Sequence, residues 1–521
     1  MELPIMRDTI SINTPFLDTT VDHPVDCDIV LPDYCPDVSR VLRTESCAEI
    51  DAKQIDGARL TVSGTLYIHV LYITENSCSI RCLTHETAFS HTFDLKEECT
   101  TDAYAYVSAR VIRANCRLIG PRRVQVRGSI VLHARVFCEM NESFVSDIDD
   151  ERLEINHHSI QCSTPVAFVE KPFQVHEQLE INYGKPAASS IIKSDATVFV
   201  QDFKLISNKV IIKADLKLKT LYSSEAEEED SGIEVVEHNL PISQIVDISG
   251  VDEECGCILN LHSGNVKASI SQNSEGENRQ LDVQLDVMAT ANVYRTREIT
   301  VVTDAFSPKF ETMIQTSPVH MQYVSDTVHK TEVLQESLEL ENAELKTVID
   351  CTTEAYVKES KFENGVLAMA GDLYISGFAL NSQGGPVSFE KTVPFSIKEP
   401  VEGDTNHLQA NPEIQIVSNS FSLTTPKNLD VRVECTVDAV ILTNEEETIV
   451  VELDMDDSQE KKVSPQKTLT LYFADKGESI WNIAKRYNAS PESIKRENGL
   501  EDDILEVRNM LLIPKKRWRK V

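Results

Sequence analysis

Long runs of alternating apolar and polar residues dominate this chain. Residues 60–72 (LTVSGTLYIHVLY), 210–222 (VIIKADLKLKTLY) and 366–380 (VLAMAGDLYISGFAL) share apolar side chains at alternate positions. That period of two marks a half-buried strand, whose successive side chains point to opposite faces. Leu66, Leu216 and Leu373 correspond, at offsets of 150 and 157 residues. A second set of runs, 124–137, 281–294 and 429–442, aligns without a gap. It brings Val126/Val283/Val431, Ile130/Val287/Cys435, Ala134/Ala291/Ala439 and Val136/Val293/Ile441 onto one face. A slip of one residue would turn that face to solvent, so the pattern specifies register as well as strand.

Each of the three units opens alike. Val25, Ile29 and Leu31 are followed by Pro36 and Val41-Leu42, and adding 150 gives Val175, Leu179, Ile181, Pro186 and Ile191-Ile192. The third unit keeps Leu338, Leu340, Leu345, Val348 and Ile349 without the prolines. This opening predicts a strand, one turn of helix and the start of a sheet. Polar turns at Ser207-Asn208, Asn364-Gly365 and Pro426-Lys427-Asn428 join the strands. The fold class expected is mainly β: three tandem sandwich-like or open curved-sheet repeats, 1–150, 151–311 and 312–446. An acidic, polar linker is expected over 447–467 and a separate module over 468–515, with a basic tail at 516–521.

The period changes near the C-terminus. Alternation at Leu469, Leu471 and Phe473 gives way to a Lys-Gly-Glu-Ser turn and then to Ile480, Trp481, Ile483, Ala484 and Tyr487 at helical spacing. Ser479 stands where an N-cap side chain would accept an amide, and Ser490-Pro491 repeats the device. Asn498-Gly499 closes the second helix, and a strand from Met510 to Ile513 ends at Pro514. The predicted order is β-α-α-β. Trp481 is expected in the module's core, Met510 also in core, and Arg508 at the surface.

The chain has 521 residues, 50 basic and 84 acidic, for a formal net charge of −34. Residues 468–521 hold 11 basic and 8 acidic side chains, so 1–467 carry −37. Such a balance argues against nucleic acid or an anionic membrane as main partner. No basic-then-apolar leader opens the sequence and no run reaches 18 apolar residues. Thirteen cysteines form no repeating framework, which suits reduced thiols in the cytosol. The six residues Lys515 to Lys520 make a basic tail that could meet an acidic surface or remain solvated.

Catalytic motifs are absent: there is no Gly-x-x-x-x-Gly-Lys-Ser/Thr loop and no Gly-x-Ser-x-Gly elbow. Acidic stretches such as 225–230 read as solvated charge. No enzyme activity and no cofactor are expected. Cys78, Cys82, His85 and His91 lie within 14 residues and are the weak candidates for zinc, against a plain reading as free thiols and surface histidines. Cys255 and Cys257 are a fainter pair.

The opening Val-Asp-x-Asp-Ile-Val-Leu-Pro-Asp-x-x-Pro-Asp-Val-x-x-Val-Leu of residues 25–42 resembles the SPOCS (DUF3794) family, and the terminal β-α-α-β segment resembles a LysM module. That family joins such repeats to a C-terminal LysM in spore-forming Firmicutes. The resemblance implies a cytoplasmic, mother-cell protein recruited to the forespore outer surface and spore coat. It also implies partnership with the coat-basement ATPase, stage IV sporulation protein A. For the LysM groove it implies Gly477, Glu478, Ser479 and Ile480 facing Ile504 and Leu505. Where the family has Pro-Gly-Gln, this chain has Val507-Arg508-Asn509. Losing Pro and Gly reshapes a loop, and Val507, Arg508, Met510 and Trp518 become candidates for contact with protein.

Three functions remain open at this point: a non-enzymatic scaffold in spore coat assembly, a peptidoglycan-binding protein of the cortex or wall, and a wall hydrolase, the last without a catalytic motif. Exposed edge strands in three β domains would also suit self-association.

Overall fold

The computed structural model describes residues 3–75, 79–99, 103–224, 232–340, 344–402, 405, 407–461 and 469–514. The first repeat contains β1 (Ile5–Val30), β2 (Val38–Asp56), β3 (Arg59–Thr74), β4 (Ile80–Asp94), β5 (Ala103–Gly120) and β6 (Arg123–Ile148). They form two antiparallel sheets, β1-β6-β5 and β2-β3-β4. Inward residues of β3 (Leu60, Val62, Leu66, Ile68, Val70, Tyr72) meet those of β6 (Val124, Val126, Ile130, Leu132, Ala134, Val136) in one core. The unit is a sandwich, the first of the two forms compatible with the sequence pattern.

The second repeat follows the same path through β7 (Glu154–Glu180), β8 (Ala188–Ile206), β9 (Lys209–Ser224), β10 (Ile233–Asp247), β11 (Gly256–Ser271) and β12 (Gln280–Phe306). The third uses β13 (Phe310–Glu339), β14 (Leu345–Glu363), β15 (Val366–Asn381), β16 (Pro386–Pro400), the short β17 (Leu408–Ala410), β18 (Glu413–Thr425) and β19 (Asn428–Glu460). Sheet orders repeat as β7-β12-β11 with β8-β9-β10, and as β13-β19-β18 with β14-β15-β16. Even the irregularities recur. The pairing skips residues 39, 42 and 51 in β2, 189, 192 and 201 in β8, and 346, 349 and 358 in β14.

The opening motif contains no helical turn. Residues 31–37 and 181–187 make a plain turn pinned by an arginine. Arg122 donates to the carbonyls of Leu31, Pro32 and Cys35 and pairs with Asp37 at 2.7 Å. Arg279 does the same with Asn182 and Lys185. Multiple carbonyl acceptors on one guanidinium replace the intrahelical bonds that a helix would have supplied.

The first and last strands of each repeat run past their sandwich as long ribbons, and the three ribbons pack together. Ile10/Ile160/Val319 and Phe144/Val301/Ile449 meet in one cluster, and Val145/Val302/Val450 and Ile148/Ala305/Leu453 in the next. These are repeat-equivalent positions, so the body has pseudo-threefold symmetry. All three ribbons bulge at 16/166/325 and at 146/303/451, and the third shifts register once more between Phe310 and Glu311. A bulge bends and twists a strand, and here it lets a strand leave its sandwich and join the shared stalk. Residues 447–460, expected as linker, are therefore the outer half of β19, with Ile449, Val450 and Leu453 buried.

A second meeting point lies among the smaller sheets. Bulge residues Leu42, Ile192 and Ile349 cluster with Leu71, Leu221 and Phe378. Beside them runs an ion network: Arg43 pairs with Glu45 at 2.7 Å and with Asp350 at 3.4 Å, Lys219 with Asp350 at 2.5 Å, and Lys193 with Asp195 and Glu45. Edge strands of the smaller sheets touch in rotation at a few residues, β4 with β8, β10 with β14 and β16 with β2.

The terminal module has β20 (Leu469–Ala474), α1 (Ile480–Tyr487), α2 (Pro491–Asn498) and β21 (Asn509–Pro514), with β20 and β21 antiparallel. Asn488 (φ 51°) and Gly499 (φ 65°) end the helices in the left-handed conformation that C-caps favour. Ser479 and Ser490 occupy the N-cap positions with extended backbones, but neither side chain makes the cap bond. The Ser490 hydroxyl instead donates to Glu154 of the body at 3.3 Å.

Candidate binding site

The two loops of the terminal module lie against each other. Gly477 N–H donates to Leu505 O at 2.8 Å, Leu505 N–H to Glu478 O at 3.1 Å, and Ile480 N–H to Asp503 O at 2.8 Å. Ser479 and Ile504 form a bridge between them. Gly477, at φ 89°, makes the tight entry, a conformation open to glycine without steric cost. The structure thus brings together the six residues that the LysM resemblance implies for a groove, but few of them have a free side chain. Ile480 and Leu505 are buried in the module core. The Glu478 carboxylate accepts from Tyr472 O–H at 2.8 Å and from Asp475 N–H at 3.0 Å. The Asp475 amide, with Tyr472 and Arg486, holds its pKa below the ordinary carboxylate value. Ile504 remains outside, 59% exposed.

The altered loop is at the surface. Val507 is exposed, and Arg508 reaches Asp475 at 3.1 Å with both side chains largely in water. Met510 is not core: it pairs with Phe473 across the β20–β21 ladder, and both face solvent together with Leu471. Period-two alternation explains this, because Leu511 and Ile513 take the helix-facing side and leave 510 outward. Leu471, Phe473 and Met510 are thus exposed on the ladder, as are Ile504 and Val507 on the loop before it. Trp518 and the basic tail lie outside the described residues.

The opposite side of the module is occupied by the body. Trp481 Nε1–H donates to Asp304 at 2.8 Å, its ring meets Phe306 edge-on at 5.1 Å, and Lys485 reaches Asp304 at 2.7 Å. Lys461 donates to both Ser307 O and Asn488 Oδ1 at 2.9 Å. Phe306, fully buried, belongs to the module's own core. Trp481 is thus half-buried at a junction and not an interior residue of the module. Helical spacing alone does not reveal this junction. Its signal is an exception to the repeat: the positions equivalent to Phe306 are Asp149 and Asp454.

The weak zinc candidates do not converge. Cys78 lies outside the described residues. Cys82 points to the face of β4 opposite His85 and His91, and six residues of strand separate the two histidines by about 20 Å. Burial pushes the Cys82 thiol up to about 12, and His91 packs on Phe93 at 4.7 Å. No cluster of three metal-ligating side chains occurs among the described residues. Cys255 donates to Asp252 at 3.3 Å, while Cys257 sits on β11. No described helix is long and apolar enough to cross a membrane.

Residues 37–119 and 187–271 match the family described as SipL, SPOCS domain, and residues 475–514 match the LysM domain. Both SPOCS matches begin at the arginine-pinned turn and end with β5 or β11. The third repeat has the same fold outside the matched stretches. No curated protein and no solved structure matches the chain.

Proposed function

We propose that this chain, a protein with SipL-type SPOCS domains and a C-terminal LysM domain, acts at the forespore surface during assembly of the spore coat. SPOCS and LysM domains are non-catalytic interaction modules, and the chain is a scaffold. Its site of action would be the mother-cell face of the forespore, with the coat-basement ATPase, stage IV sporulation protein A, as partner.

One observation carries the use of the LysM for protein contact. The module is fixed to the body through Trp481 and Lys485, and the paired Phe473 and Met510, with Leu471, are left exposed. Three groove amides are engaged between its own loops, where a glycan's acetamido groups would need them. An interface needs an apolar centre with aromatic or Met anchors, and Phe473 and Met510 supply one.

The test uses the full chain and the variant Phe473→Asp, whose site is exposed and tolerates charge without unfolding. Capture of the purified ATPase by the parent and at least tenfold weaker capture by the variant is the expected result. The glycan reading rests on the LysM match itself. Strong retention on insoluble peptidoglycan, competed by chitin oligomers and indifferent to Phe473→Asp, would replace the proposal with that reading.

A further inference from the structure

The connection between the two sheets of a repeat must be fastened to the long strand it crosses, and two repeats fasten it differently. After β4 the chain enters the crossover at Leu95, whose N–H donates to Ala58 O; after β10 it does so at Ile248, bonded to Asn208 O. Four residues on from these anchors stand Cys99 and Asp252. The residues facing them on the long strands are Cys138 of β6 and Arg295 of β12, equivalent at the 157-residue offset that aligns those strands. In the second repeat the clasp is ionic: Arg295 Nη2 pairs with Asp252. In the first, the Cys138 thiol donates to Cys99 Sγ at 2.6 Å.

We infer that Cys99 and Cys138 form an oxidisable pair, a covalent counterpart of the Asp252–Arg295 clasp, which closes as a disulfide on exposure to a low-molecular-weight disulfide. The two sulfurs lie within about 1 Å of bonding distance, at the same place where the sister repeat joins the same two elements. Twelve cysteines are described and all are free thiols; this is the one pair whose sulfurs meet.

The exchange balances simply. The Cys99 thiolate, on the more exposed side chain, attacks one sulfur of the small disulfide and expels one small thiolate. The Cys138 thiol then loses its proton and displaces the second small thiolate from Cys99, forming the protein S–S bond. Two protein sulfurs are oxidised, one small disulfide is reduced, and the two protons released end on the two small thiols. Burial, with Cys138 beside it, pushes the Cys99 thiol up to about 12. Few thiolates exist at neutral pH, so closure is slow there and quickens roughly tenfold per pH unit between 7 and 9. In a glutathione-reducing compartment the pair stays open.

The experiment takes the full chain, incubates it with oxidised glutathione, blocks remaining thiols with N-ethylmaleimide and maps peptides by mass spectrometry. The expected product joins the peptides of Cys99 and Cys138, is lighter than their sum by two hydrogen atoms, and separates with dithiothreitol. Its yield should rise with pH as above, and Cys99→Ser should abolish it while leaving the circular dichroism unchanged. Recovery of Cys99 and Cys138 each carrying maleimide or glutathione, with no joined peptide at pH 9, would overturn the inference. So would a joined peptide that formed only after denaturation.

Discussion

Replacing Asp350 by alanine should destabilise the body by about 3 kcal/mol. The carboxylate is almost fully buried, forms an ion pair with Lys219 at 2.5 Å and accepts from Arg43 at 3.4 Å. Removing one member of a buried pair costs about 3–5 kcal/mol, because the remaining charge is left without its partner. The lower end applies here, since Arg43 keeps Glu45 at 2.7 Å and Lys219 keeps the Cys351 carbonyl at 3.1 Å. Scanning calorimetry reads the loss, and its size reports cooperativity. With an unfolding entropy of about 2.1 cal/mol/K per residue, 3 kcal/mol lowers Tm by about 3 °C if the whole body melts together, and by about 10 °C if one repeat melts alone. The pH dependence has a definite sign. Burial raises the Asp350 pKa, but the Lys219 and Arg43 charges, helped by Lys193, outweigh it and hold the carboxyl below its ordinary value. A depressed acid stabilises the fold above its unfolded pKa of about 3.9 and loses that contribution as pH falls through the lower folded value. Parent and variant should therefore differ fully at pH 6–7 and converge in strong acid. Equal melting at pH 7, or a difference that grows on acidification, would refute the reasoning.

Trp481→Ala should detach the LysM from the body, seen as faster proteolysis between the two, while the parent's body transition stays in place. Asp304→Asn should weaken the same junction less, since the carboxamide oxygen still accepts from Trp481 while the Lys485 pair is lost; the two variants should rank in that order by protease half-life. Phe144→Ala, in the shared stalk, should cost about 3–5 kcal/mol in chemical denaturation, because its side chain is fully buried against two other repeats. Arg508→Glu should leave far-UV circular dichroism and melting unchanged, given how exposed Arg508 and Asp475 are.

The sandwiches were legible because both faces of β3, β6 and their counterparts differ sharply in polarity, and two constant offsets then fix the copies. The stalk was not. In residues 447–460 the run of carboxylates hides Ile449, Val450, Leu453 and Met455, and the bulge at 451 breaks the period of two where it would have shown. Reading acid density as linker misjudged a strand whose outer face is simply solvated. At the LysM the opposite held: helix ends, turns and strands were visible from local rules, but Trp481 was assigned inward. Helical spacing shows that a residue belongs to an apolar face and not whether that face meets its own module or a neighbour. Only the aromatic at 306, among aspartates at 149 and 454, marks where the module docks.

The ion network also explains why a divergent third repeat closes this ring. The equivalent positions on the axis are Arg43, Lys193 and Asp350. With a cation at the third position as well, Arg43, Lys193 and Lys219 would have only Glu45 and Asp195 to pair with, and at low dielectric the excess of like charge is costly. Asp350 removes that conflict by pairing with the first repeat through Arg43 and with the second through Lys219. The third repeat is thus complementary to the other two, which is a reason for its sequence to depart from the family that they match while its backbone keeps the three bulges of β2 and β8 in β14. A body carrying Asp350→Lys should fail to close around the axis, and the companion change Lys193→Asp should restore it by moving the acid to the second repeat. Rescue measured as recovered melting temperature would support this complementarity. A double variant no more stable than Asp350→Lys alone would show that position, and not charge balance, decides which repeat carries the acid.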